Sequence, residues 1–156
     1  IPQYITHNKF SSQFSHRDEQ ASPGYYSVYL PNDAISVNLT TTQRCGMHQY
    51  TFNSENHNKV LLDLEHRDQV TYSKLQFVND SEIVGVRYSK AWAQNQKFYF
   101  VIRLSKPIEH KFLYVNDTLL PDQKFAIGTN IKAILYVPPM TENLSIKVGI
   151  SATGID

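Results

Sequence analysis

In the segment Phe14-Ser-His-Arg-Asp-Glu-Gln-Ala-Ser-Pro-Gly-Tyr-Tyr26, four charged or titratable side chains crowd ahead of a Pro-Gly turn: His16, Arg17, Asp18 and Glu19. A histidine beside two carboxylates has the groups for moving a proton or gripping a cation. The commoner outcome is a solvated loop in which the histidine orients the backbone, and that is the expectation here. Paired carboxylates are also the machinery of glycoside hydrolysis. Asp18 and Glu19 are adjacent, however, and neighbours on an extended chain point to opposite sides. Asp63 and Glu65 flank an apolar run, where Asp63 is expected to close a buried hydrogen-bond network. No opposed pair of carboxylates follows from the spacing.

Other stretches carry weaker signals. The histidines His7, His16, His48, His57, His66 and His110 show none of the close spacings of structural zinc sites, and Cys45 is the one cysteine. His66-Arg67-Asp68 lacks the glycine-rich loop and Asp-Phe-Gly that would make it a kinase catalytic loop, so it reads as a charged turn. In Arg44-Cys-Gly-Met-His-Gln-Tyr-Thr-Phe52, Gly46 is expected to supply a bulge or a positive φ. Arg44 could reach a sugar hydroxyl, but an inter-strand salt bridge is the more frequent fate. Trp92 lies in Ser89-Lys-Ala-Trp-Ala-Gln-Asn-Gln96 and is expected to plug the end of the fold, with stacking on a sugar face as the alternative. No nucleophile elbow or phosphate-cradling glycine loop is present.

The elements that position these residues are strands. Apolar and polar side chains alternate along the chain at intervals of roughly ten residues, the pattern of an all-β sandwich. Strands are expected at Tyr25–Leu30, Ile35–Thr42, Met47–Phe52, Lys59–Leu64, Val70–Phe77, Glu82–Ser89, Lys97–Leu104, Lys111–Val115, Lys124–Val137 and Leu144–Ala152. A polar loop is expected after Phe52. Lys59–Leu64 is apolar enough to read as a strand covered on both sides. Tyrosine and phenylalanine, ten and eight residues, fit β structure. The expected fold is an antiparallel, supersandwich-like β-sandwich of two packed sheets, forming one domain over residues 1–156.

Composition narrows the function classes. With 41% hydrophobic and 19% charged residues, the 156-residue chain is that of a globular domain large enough for a sizeable core. A net charge of +1 gives no electrostatic case for nucleic acid. No run approaches the roughly 18 apolar residues of a membrane helix. Four Asn-x-Ser/Thr sequons, at Asn38, Asn79, Asn116 and Asn143, read as accidents of composition. The chain begins without Met and stops shortly after a clean strand, so it reads as a piece of a longer polypeptide.

The motifs, taken together and in order, resemble the N-terminal β-sandwich domain of glycoside hydrolase family 92, the calcium-dependent exo-α-mannosidases. Phe14 to Tyr26 matches a Phe-Ser-His-x-x-Glu-x-Ala-x-Pro-Gly-Tyr-Tyr segment, and Arg44 to Phe52 an Arg-x-Gly-x-His-x-Tyr-Thr-Phe strand. Val60 to Leu64 matches an apolar strand of the Ile-Leu-Ile-Asp-Leu kind. Ser89 to Pro107 matches Ser-x-x-Trp-Ala-x-x-Gln-x-x-Tyr-Phe followed by Ser-Lys-Pro, although Ala91 stands where the family has glycine. Lys147 to Ser151 fits as well.

The resemblance implies a fragment of an enzyme that removes terminal α-mannosides by inverting hydrolysis, with N-glycans among its substrates. It implies a helical (α/α)₆-barrel domain supplying the acid, the base and most calcium ligands, with the active site between the two domains. It also implies secretion or a periplasmic location. On this reading the chain alone has no catalytic residues and no metal of its own. His16, Asp18, Glu19, Arg44, Trp92 and Gln96 are its candidates for substrate or domain-interface contact. The alternative from another class is a free-standing carbohydrate-binding sandwich.

Overall fold

A computed structural model of the chain describes residues 11–53, 58–139 and 143–155. The described residues contain thirteen strands and no helix. They are β1 (Glu19–Ser22), β2 (Tyr25–Leu30), β3 (Ile35–Thr41), β4 (Cys45–Phe52), β5 (Asn58–Asp63), β6 (Gln69–Phe77) and β7 (Glu82–Lys90). After these come β8 (Gln96–Leu104), β9 (His110–Val115), β10 (Thr118–Leu120), β11 (Phe125–Gly128), β12 (Ile131–Val137) and β13 (Leu144–Ser151). They form two antiparallel sheets, a nine-stranded one ordered β1-β2-β3-β4-β13-β8-β7-β6-β11 and a four-stranded one ordered β10-β9-β12-β5. The antiparallel sandwich expected from the alternation is present. The loop expected at 54–57, with His57, lies outside the described residues, as does His7.

The core follows from period-two alternation, because directly paired residues share a face. On the large sheet Leu75, Ile83, Ile102, Leu104, Leu144 and Ile146 point inward. On the small sheet Leu113, Ile131, Ala133, Leu135 and Val137 meet them. Tyr50 and Phe52 of β4 pack against this cluster, but no residue of β1, β2 or β3 belongs to it. Four strands do not span nine. The inward face of β1–β3, with Tyr26, Val28, Val37 and Leu39, therefore extends past the second sheet.

Turn chemistry accounts for the connections. Pro23-Gly24 joins β1 to β2, with Gly24 at φ 78°, which glycine adopts without strain. Asn116 and Asp117, at φ 50° and 60°, make the tight β9–β10 hairpin. Both residues at positive φ is the mirror-image turn that suits the twist of a hairpin.

Several expectations need correction. The segment Lys124–Val137 is two strands, because Gly128-Thr129-Asn130 turns the chain from the large sheet to the small one. β1 and β10 are strands that the alternation did not reveal: β1 is polar, and β10 has only three residues. Gly46 pairs in unbroken register with Thr41 and Val148 and has no positive φ; the irregular register lies between Val70 and Tyr72. β5 is an edge strand with Val60, Leu61 and Leu62 only half-buried, so it is not covered on both sides. Asp63 is half-buried too. Its carboxylate accepts from the backbone N–H of Glu65 at 2.8 Å and of His66 at 3.2 Å, shaping the turn after β5 instead of closing a buried network.

One inward residue is more constrained than the rest. Gly85 sits between Leu75 and Phe100 in the register. A Cβ there would lie 2.3 Å from Phe100 Cζ and 2.5 Å from the Lys74 carbonyl oxygen. Phe100 is packed in the core and the carbonyl is fixed by the ladder, so neither yields easily. Gly85→Ala is expected to destabilise the chain by about 1–3 kcal/mol, the usual cost of overpacking. Gly149→Ala, where a Cβ meets nothing within 4 Å, is expected to stay within about 0.5 kcal/mol. Urea denaturation of the two variants checks the contrast, and equal midpoints would contradict it.

Candidate functional site

The His16–Glu19 segment is ordered by its own side chains. Asp18 Oδ2 accepts from the Ser15 backbone N–H at 3.0 Å and from Ser15 Oγ at 2.9 Å, and the Tyr29 amide donates to the Asp18 carbonyl at 2.9 Å. The backbone-orienting role expected of the histidine thus belongs to Asp18. His16, 98% exposed, meets Glu19 Oε1 through Nδ1. Glu19 opens β1 opposite Val28 and so points to the inward face, where the Tyr26 hydroxyl donates to its Oε2 at 2.6 Å. That hydrogen bond first, and His16 second, hold the Glu19 carboxyl below its ordinary range; the same bond pushes the Tyr26 phenol up.

Two strands along the same face stands His48. It pairs with Leu39, which pairs with Tyr26. Its Nδ1 lies 2.8 Å from the Tyr50 hydroxyl. Burial lowers the His48 pKa and raises that of Tyr50. The inward face of β1–β4 beyond the second sheet thus mixes Val28, Val37 and Leu39 with Glu19, Tyr26 and His48.

Arg44 is elsewhere. It precedes β4, is exposed, and makes no salt bridge among the described residues, against the expectation of an inter-strand pair. It borders a shallow groove of about 200 Å³ with Cys45, Tyr99, Val101, Gly149, Ser151, Gly154 and Ile155.

Trp92 caps the β7–β8 connection. It is 97% exposed, so it plugs nothing. A flanking backbone hydrogen bond from Ala91 N–H to the Ala93 carbonyl, at 3.1 Å, holds the tip. Below it Gln96 pairs with Ser89, whose buried hydroxyl lies 3.4 Å from both Gln96 Oε1 and Asp68 Oδ2. Arg87 completes this corner by donating to the Leu64 carbonyl at 2.7 Å and the His66 carbonyl at 3.1 Å, with Asp68 3.7 Å away. His66-Arg67-Asp68 is a turn, with Arg67 at φ 82°.

The structure therefore does not gather the six candidates into one cleft. Glu19 and His16 share the β1–β2 end of the large sheet, Trp92 and Gln96 share the β7–β8 tip, and Arg44 stands between them near the end of β13. The carboxylates are largely committed to structural partners. Glu65 Oε2 and Asp117 Oδ1 accept from the Lys132 ammonium at 2.5 and 3.3 Å, and Glu82 Oε2 meets Arg103 Nε at 2.6 Å. No three His, Cys, Asp or Glu side chains among the described residues stand together as metal ligands. In the sequence His48 stands only as one of six histidines without zinc spacing, and neither Tyr26 nor any tyrosine of β6–β8 stands out individually. The Pro-Gly hairpin register would have placed Tyr26 diagonally across from Glu19.

The glycosyl hydrolase family 92 N-terminal domain matches residues 2–151. Among solved structures, an α-mannosidase of family GH92 from Bacteroides thetaiotaomicron, in complex with mannoimidazole, superposes with a TM-score of 0.85 at 26% identity. It takes in 92% of this chain and 20% of that one. An inverting mannosidase of the same family, from Bacteroides thetaiotaomicron VPI-5482, gives 0.82 at 25%, over 96% of this chain and 20% of that one. A third structure, a glycosyl hydrolase of the same family at 24% identity, shares the fold with a TM-score of 0.81. The chain spans about a fifth of the length of these structures. No curated protein sequence matches it.

The lowered His48 pKa sets a pH dependence. Between the ordinary value of 6.5 and the depressed folded value, the unfolded chain binds the proton and the folded chain does not. Stability from His48 is therefore complete above about pH 6.5 and declines as pH falls through that window. Urea midpoints measured from pH 7.5 down to pH 5 are expected to fall, with a smaller fall in His48→Gln. An identical slope in the variant would contradict the assignment.

Proposed function

This chain belongs to the family of glycosyl hydrolase family 92 N-terminal domains, and we propose that it serves as the non-catalytic sandwich of a longer α-mannosidase. The observation that carries the proposal is the match to family GH92 mannosidases over nearly all of this chain and about a fifth of theirs. The whole enzyme would hydrolyse terminal α-mannosides, such as those of N-glycans, with inversion, as the matched inverting mannosidase does. Inversion needs a general acid on the leaving oxygen and a base that activates water on the opposite sugar face. Asp18 and Asp63 shape turns and Glu65, Glu82 and Asp117 pair with cations, so acid and base would come from the rest of the polypeptide, which the resemblance pictures as a helical barrel. Calcium, a hard cation suited to carboxylate and sugar oxygens, would be held there too. Secretion or a periplasmic location completes the reading; no helix of the described residues is long and apolar enough to cross a membrane.

The part left to this chain is to shape the active site from one side. Two surfaces suit that role. The inward face of β1–β3 lies outside the core cluster and carries Glu19 and Tyr26 among apolar side chains. The β7–β8 tip presents Trp92, an aromatic of the type that anchors interfaces when a partner buries it.

Incubated with an aryl α-mannoside and calcium, the chain alone is expected to give no turnover, whereas the longer polypeptide that contains it turns over. Hydrolysis by the chain at a comparable rate would overturn the reading. Trp92→Ala separates interface from scaffold. In the isolated chain it is expected to shift stability by less than about 0.5 kcal/mol, because Trp92 packs on nothing. In the longer polypeptide it is expected to lower kcat/KM by roughly tenfold or more, in line with loss of an interface anchor. Unchanged kcat/KM would remove Trp92 from the interface.

A further inference from the structure

The outward face of β6, β7, β8 and β13 carries a feature that the proposed function does not use. Tyr72 pairs directly with Tyr88, which pairs with Lys97, while Tyr99 stands diagonally across on β8. The Tyr72 and Tyr88 rings are 5.3 Å apart and tilted by 46°; Tyr88 and Tyr99 meet edge-on at 6.4 Å. The hydroxyls of Tyr88 and Tyr99 lie 3.2 Å apart, so one donates to the other. The Lys97 ammonium lies 5.2 Å from the centre of the Tyr88 ring. Tyr99 is also a wall of the groove bordered by Arg44, Gly149 and Ser151. Gly149 leaves that groove open, since a Cβ there would meet no atom within 4 Å.

We propose that this groove, from Arg44 across Gly149 to Tyr99 and on toward Tyr88 and Tyr72, binds an oligosaccharide, and that its sugar class is the α-mannoside. A pyranose has an apolar C–H face and a rim of hydroxyls. A half-exposed tyrosine has the matching pair, an apolar ring and a hydroxyl at its edge. The Arg44 guanidinium makes no salt bridge among the described residues and offers parallel donors, suited to two adjacent sugar hydroxyls. The tyrosine row extends the surface beyond a single ring, which fits a chain of sugars better than a lone monosaccharide. The choice of mannose rests on the proposed function; the choice of a saccharide rests on the groove alone.

The sole cysteine gives a local readout, because Cys45 is exposed and lines the groove. With α-1,2-mannobiose at about 20 mM, the millimolar range of weak sugar binding, the reaction of Cys45 with a thiol-specific aromatic disulfide is expected to slow. Backbone amide resonances of Arg44, Tyr99, Gly149 and Ser151 are expected to shift. Arg44→Ala, a change at an exposed side chain, is expected to weaken the affinity about tenfold. Tyr99→Ala is expected to weaken it about three- to tenfold, with its melting midpoint measured alongside to show that it folds. Unchanged labelling and unshifted amides overturn the proposal. Shifts confined to the Trp92 tip or to β1–β3 also overturn it, and leave the mannosidase reading in place. Groove shifts with cellobiose but not with mannobiose uphold a saccharide groove and overturn the mannose class.

Discussion

Four strands packed against nine is the constraint on which the rest of this structure depends. A sheet face made of alternating apolar residues must be buried against something. The second sheet buries it across β11, β6, β7, β8 and β13 and the far end of β4, and reaches none of β1–β3. Within that footprint every position is set by packing, as Gly85 under Phe100 shows. Outside it, on β1–β3, the same inward face relaxes its apolar rule and admits Glu19 and Tyr26. Polar groups facing the core side of a sheet are costly in a dry interior. Their presence here marks the region where the sandwich stops being a sealed core.

The second sheet is held in place by more than apolar contact. Lys132 lies between the buried Ile131 and Ala133 but points to the opposite side, where its side chain is 1% exposed. Its ammonium is ringed by Glu65, Asp117 and Asn130, the last through Oδ1 at 2.6 Å. Burial alone would lower the lysine's pKa, but its carboxylate partners more than reverse this and raise it. The network ties the exit of β5, the β9–β10 turn and the entry to β12 into one corner. With Arg87 bonded to the Leu64 and His66 carbonyls, it fixes the loop that joins the two sheets after β5.

Much of this was legible in the sequence, and the failures have physical causes. Leu144–Ser151 alternates cleanly because one face is buried, and the sequence shows it almost to the residue; Tyr25–Leu30 is as visible through its aromatic and β-branched residues. β1 and β10 are only four and three residues long and held by hairpin register, too short for alternation to show them. The break after Gly128 was hidden because apolar residues continue on both sides of the turn while the chain changes sheets. At the site level, residue types were readable but their grouping was not. Arg44 was expected to pair and does not; Trp92 was expected to plug the fold and stands in solvent; Asp63 shapes a turn. Each outcome depends on which neighbour the fold brings across, and a single sequence does not show that. The family resemblance was legible because it rests on ordered motifs, not on grouping.

On the proposed function, this sandwich meets a larger partner through its unsealed parts. Hydrogen–deuterium exchange tests it most directly, comparing the chain alone with the same chain inside the longer polypeptide. Slower exchange is expected at β1–β3 and at the β7–β8 tip around Trp92 in the longer polypeptide, with β9 and β12 unchanged because the core already protects them. Equal exchange at β1–β3 and at the Trp92 tip in the two settings would contradict it.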